Sequence, residues 1–206
     1  MSRRDQERAG KNEPQPTLAR NYRELRAIAH FDRVLGRGKS AHGHVSGDGP
    51  VIVLSYVDIV VGVIHFATLG FSSLNVTVRY PTELVCSVRP DQAEAGYQLL
   101  IRAMQLIEQN PETPCTFGTN GEFGDPVVGT ALRGVLFTES VWSDELTVVW
   151  DPREEVELVV FTVLPLLEEE LAFIAESDMD AWDEELSATS VDVFDLHRTQ
   201  PITLHR

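Results

Sequence analysis

An α+β domain with a mixed, largely antiparallel sheet and packed helices is the fold this sequence predicts. Three observations lead there. Hydrophobic periodicity runs helix, strands, helix, strands, helix, without the regular strand–helix alternation of a doubly wound sheet. The strand candidates are β-branched runs of ordinary strand length, bounded by Gly, Pro and Asp. The chain has 206 residues, 43% of them apolar, which suits one domain with a substantial core and short appendages.

Residues 1–16 are polar, mixed in charge and end in Pro14-Gln15-Pro16, so they read as a disordered tail. Thr17 is placed to cap a helix running to about Leu35. Its apolar positions are Leu18, Tyr22, Leu25, Ile28, Ala29, Phe31 and Val34, and Gly36 and Gly38 stop it. His44-Val45 is a weak strand candidate, and Gly47-Asp48-Gly49-Pro50 is a turn. Val51–Tyr56 and Ile59–Leu69 are strands joined near Asp58. Gly70-Phe71-Ser72-Ser73 breaks the pattern. Val76–Val78 and Thr82–Val88 are further strand candidates, the latter closed by Arg89-Pro90. Asp91 opens a second helix to about Glu108, with Ala95, Leu99, Leu100, Ala103, Met104, Leu106 and Ile107 on one broad face. Asn110-Pro111 ends it. The stretch from 110 to 130, with three prolines and four glycines, is a long irregular connection of the kind that carries binding contacts.

Leu132–Thr138 and Leu146–Trp150 follow as strands. The turn Asp151-Pro152-Arg153-Glu154 joins the second of these to Val156–Leu164 in a hairpin. Pro165 suits the first turn of a third helix to about Glu176, with Glu168, Glu169 and Glu170 where the helix dipole favours acids. Asp178–Leu186 is a short acidic helix, Val191–Leu196 a last strand, and 199–206 a tail. The folded domain is thus expected over 17–198.

Charge is uneven. The formal net is −15. Residues 1–40 carry ten Lys/Arg against five Asp/Glu, and residues 41–206 carry seven against 27. Between Asp151 and Asp195 there are fifteen acids and one base, Arg153. Such a field repels nucleic acid and anionic membranes and speeds capture of a basic protein. No apolar stretch follows the N-terminal arginines, so an export signal is not expected. The longest apolar run is well short of the ~20 residues that span a bilayer. A cytoplasmic protein is the expectation. Cys86 and Cys115 then read as half-buried free thiols, with one disulfide left open.

No cofactor, metal or catalytic set emerges. His42-Gly43-His44 lacks a third ligand nearby and reads as a solvated loop. Gly70-Phe71-Ser72 has Leu74 where a nucleophile elbow needs Gly. The Gly118–Asp125 loop matches neither phosphate-binding nor calcium-binding patterns and reads as a flexible surface loop. His65, in an apolar strand, reads as a structural core histidine. The competing reading is a small hydrolase using His65 with nearby carboxylates.

Several segments, in order, resemble the suppressor-of-fused domain family. These are the turn Thr68-Leu69-Gly70-Phe71-Ser72, the strand-to-helix passage Glu83-Leu84 through Arg89-Pro90-Asp91-Gln92, and the strand Gly134-Val135-Leu136-Phe137. Leu164-Pro165-Leu166-Leu167-Glu168-Glu169-Glu170 and the ending Asp195-Leu196-His197-Arg198 complete the set. The resemblance covers about residues 18–198. It implies an α/β binding module with no catalytic residues and no cofactor. In animals such modules sequester a transcription factor; bacterial single-domain members act as immunity proteins that neutralise toxins. At 206 residues the sequence is not expected to include the second domain of the animal proteins.

The first functional expectation is therefore a non-enzymatic, immunity-type protein whose acidic surface captures a basic toxin, such as a nuclease. Its contacts would be Glu168, Glu169, Asp180, Asp183, Glu184 and Glu185, with Trp182 as an aromatic anchor or, equally, as a core residue. The alternatives are the hydrolase and a structural or assembly protein that pairs through an exposed strand edge.

Overall fold

The computed structural model describes residues 21–202 apart from 37, 38, 47, 48, 75–79, 111, 113, 142 and 178. The expected cap at Thr17, the strand over Val76–Val78 and the tails over 1–16 and 203–206 lie outside the described residues.

Five helices and eight strands are present among the described residues: α1 Tyr22–Val34, β1 Lys39–Ser46, β2 Gly49–Asp58, β3 Val63–Leu69, β4 Thr82–Val88, α2 Ala93–Gln109, β5 Asn120–Glu122, β6 Gly134–Thr138, α3 Asp144–Thr147, β7 Val148–Trp150, β8 Val156–Leu166, α4 Glu168–Glu176 and α5 Met179–Ala188. The strands form one sheet in the order β1-β2-β3-β4-β8-β6-β5, with β7 also paired to β8. Every pairing is antiparallel except β4 with β8, where Thr82 to Val85 run parallel to Val159 to Thr162. The sheet is mixed and largely antiparallel, as the sequence predicts.

The centre of the sheet is covered on both faces. Along β8, Val159, Phe161 and Val163 join the cluster under α2, with Leu99, Leu100 and Met104. Leu158 and Val160 face the other way, onto Ala27, Phe31 and Leu35 at α1. Leu164 and Leu166 on that same face meet Ile174 of α4 and Trp182 of α5. Strict alternation thus assigns α2 to one layer and α1, α4 and α5 to the other. It also explains why β8 reads as an almost unbroken apolar run.

Several boundaries differ from expectation for identifiable reasons. Asn21 caps α1, its side-chain oxygen accepting from Glu24 N at 3.0 Å. The buried stripe runs through Glu24, Ala27, His30 and Phe31, which leaves Tyr22 and Leu25 exposed. Residues 59–62 form the turn between β2 and β3 and do not begin a strand: Asp58 Oδ1 accepts from Val60 N and Val61 N, and Gly62 N donates to Asp58 O. Pro165 pairs with Val135 inside β8 and does not open a helix, so α4 starts three residues later. The expected strand at Val191–Leu196 is a turn-rich segment, because its backbone bonds to side chains and to Arg89 and not to a strand.

Candidate protein-docking surface

The acidic residues of the last third fall into two groups, and the structure separates them by burial. Glu168 and Glu169 are exposed in the first turn of α4. Asp180, Asp183 and Glu184 are exposed on α5, and Glu185 is half-buried there. The two helices share a core through Phe173 and Trp182, whose rings lie 6.5 Å apart. The exposed acids therefore lie on the flanks that turn away from that core. Glu168 sits 3.7 Å from Arg133. The Asp183 carboxyl is pushed above the ordinary carboxylate range by partial burial and by the charge of Asp180, one helical turn away.

Trp182 does not belong to this surface. Its side chain is 0% exposed and packs among Leu136, Leu164, Leu166, Ile174 and Ile202. The anchor reading is overturned, because apolar burial beneath α4 claims the whole indole. Two acids at the β7–β8 connection are engaged elsewhere: Glu157 pairs with Arg26 of α1 at 3.2 Å, and the Asp151 side chain accepts from Arg153 N and Glu155 N.

Glu170, the third member of the glutamate run, is completely buried. Arg198 grips it in a two-pronged pair at 2.7 and 2.8 Å, and Leu167 N and Ile202 N donate to the same carboxylate. The segment expected as a tail is therefore packed at Ile202. A second buried acid, Glu83 of β4, holds the turn after β3. It accepts from Thr68 Oγ1 at 2.6 Å, Gly70 N at 2.9 Å, Phe71 N and Ser72 N at 3.2 Å, and Ser72 Oγ at 2.8 Å. Burial pushes this carboxyl upward while the donors oppose the shift. Gly70 adopts φ +95°, which presents three successive N–H groups to one carboxylate. Two of the sequence segments picked out above thus meet as halves of a single clamp.

His65 lies beside Ser87, Nδ1 to Oγ 2.7 Å, with Asp58 Oδ2 at 4.0 Å from Nε2. The composition is that of a catalytic triad, but the placement is not. His65 and Ser87 are both buried, at 3% and 4% exposure, so no substrate carbonyl reaches the hydroxyl. The Asp58 Oδ1 is taken by the β2–β3 turn. Burial lowers the imidazole pKa to about 4, so it is neutral near pH 7 but a weak proton acceptor. The hydrolase reading loses its central residue. Cys86 and Cys115 are buried free thiols, each pushed up to about 12 by burial. Among the described residues, no group of three or more His, Cys, Asp or Glu is arranged to hold a metal ion.

The profile of the Suppressor of fused protein (SUFU) family matches residues 47–199. The chain belongs to the suppressor-of-fused family. The suppressor-of-fused fold is also seen in two solved structures. One, a crystal structure of the Sufu-Fu complex, superposes with a TM-score of 0.59 at 13% identity, covering 85% of this chain and 90% of that one. The other, Drosophila Suppressor of Fused, gives 0.60 at 10% identity and covers 87% of this chain and 50% of that one. This chain thus spans about half the length of the Drosophila suppressor-of-fused chain. At these identities the likeness establishes the fold alone. No curated protein matches the chain. No helix among the described residues is long and apolar enough to cross a membrane.

Proposed function

We propose that this chain is a non-enzymatic protein-binding module that captures a basic partner on the acidic flanks of α4 and α5. The observation that carries the reading is the Asp180–Asp183 pair. Two like charges one turn apart destabilise their helix, and burial together with repulsion already raises the Asp183 carboxyl. A lysine or arginine arriving from a partner relieves that repulsion. Membership of a family of protein-interaction domains supports the same reading. So does the burial of His65, which removes the leading catalytic candidate.

The partner chemistry that fits is a protein with a dense cationic face. A toxin domain of the nuclease kind has such a face, since its own site is built for phosphates, and an immunity-type role follows: the acidic helices would cover that site. The contact residues are Glu168, Glu169, Asp180, Asp183, Glu184 and Glu185.

The test is a charge-reversal variant combining Glu169→Lys, Asp180→Lys and Asp183→Lys, all exposed. Association with the cationic partner captured from the native cell is followed by stopped-flow. The association rate should fall by about ten-fold or more at low salt, with a flatter dependence on ionic strength. An unchanged rate and salt slope would remove α4–α5 as the interface.

A further inference from the structure

Among the described residues, the strand β1 forms one edge of the sheet. It pairs with β2 over eight consecutive residues, from Lys39 with Tyr56 to Ser46 with Gly49, without a register shift. Long edges of this kind normally carry protection: a proline, a bulge, or a charge in mid-strand. Here the middle of the strand is Ser40, Ala41, His42 and Gly43, all exposed and none permanently charged. The His42-Gly43-His44 run is therefore strand and not the loop expected from sequence.

Gly43 adds a second observation. Its φ is not in the left-handed region, and a methyl group placed on it would meet nothing within 4 Å among the described residues. Neither turn geometry nor internal packing explains a glycine at this position. Glycine inside a strand often marks close approach by another backbone.

A third observation is the groove beside this edge, of about 550 Å³, between β1 and the start of α2. Its floor is Phe66, and its walls are His42 with the Ala41 and Gly43 backbone on one side and Glu94 with Tyr97 on the other. The Tyr97 ring stands edge-on to Phe66 at 6.3 Å and to His42 at 6.2 Å. An edge strand facing a helix across an aromatic groove is the geometry in which a peptide adds as a new strand and drops alternate side chains between strand and helix.

We propose that the β1 edge and this groove take an extended cationic segment of a partner protein as an additional strand. Its apolar side chains on the α2 side would lie against His42 and Tyr97, and a lysine or arginine would reach toward Glu94. Charge selects this occupant over a second folded domain paired through the same edge: residues 41–206 carry seven Lys/Arg against 27 Asp/Glu, so two domains repel each other, while a basic segment is drawn in. This surface is separate from the acidic helices, and the proposal stands if that reading fails.

The test uses the full chain and a fluorescein-labelled, end-blocked peptide of repeating Val-Thr-Lys-Thr. As a strand it places Val and Lys on one face and Thr on the other. Anisotropy should report saturable binding, and hydrogen exchange should slow at the backbone of Lys39–Ser46. Glu94→Arg should weaken binding by about ten-fold, Tyr97→Ala should weaken it too, and methylating alternate peptide nitrogens should abolish it. The triple reversal on α4 and α5 should leave the protection of β1 in place. Absence of binding overturns the proposal, and so does binding that persists with the methylated peptide. Protection of β1 that rises with protein concentration alone would overturn it in favour of a second copy.

Discussion

Burial holds the His65 imidazole neutral down to about pH 4, against an ordinary value of 6.5, with Asp58 pulling weakly the other way. The unfolded chain takes up that proton as pH falls through 6.5, and the folded chain refuses it until about 4. Folding therefore loses about 3 kcal/mol between those values and no more below them. Denaturant titrations from pH 7 to pH 4 should show that loss in the parent protein. The His65→Asn variant, whose amide can keep the bond to Ser87, should lack it. Parallel curves for the two proteins would show that His65 is not the group responsible. At this scale the sequence separated roles poorly. Glu168, Glu169 and Glu170 are chemically identical neighbours, yet only Glu170 is buried, because helical spacing turns it toward Arg198. Trp182 carried the same ambiguity: its size suits an anchor or a core, and only the position of α5 over β8 decides.

The elements were far more legible, and the exceptions share a physical cause. α2, β4 and β8 stand out because burial imposes regular periods on them. β5 has no local signal: Asn120-Gly121-Glu122 shows no apolar alternation and is recruited by pairing with β6. Pro165 pointed to a helix start because proline favours that position, but the strand continues through it. In each case a distant partner overrode a local preference. The Glu170–Arg198 pair shows the same non-local control over the C-terminal segment. Arg198→Met leaves a buried carboxylate without its cation and should cost about 3–5 kcal/mol. Glu170→Gln should also destabilise. The double variant should cost less than the two singles added together by more than about 1 kcal/mol, as read from urea unfolding. Additive costs would mean that the two side chains act separately.

The molecule as a whole carries its charge unevenly. A net of −15 with a basic first forty residues leaves the domain strongly self-repelling. The surface pairs that salt would weaken, such as Arg33–Glu145 and Arg89–Asp192, are few among the described residues. Raising NaCl from about 10 mM to about 150 mM shortens the screening length from roughly 30 Å to about 8 Å. The melting temperature should rise by about 2–4 °C, equivalent to roughly 1 kcal/mol for a chain of this size. A flat or falling melting temperature in scanning calorimetry would show that attractive pairs outweigh the repulsion.

The parallel pairing of β4 with β8 also governs how the chain is made. β4 leaves the ribosome early and meets β3 at once, but its other neighbour begins only at Val156. At about 5–20 residues per second, that strand follows several seconds later. Throughout the interval the backbone of Thr82–Val85 on β4 lacks its parallel partner. Chain growth, and not the final contact surface, sets the period when this protein is most exposed to misassembly. Slowing translation between residues 89 and 155 should lengthen it.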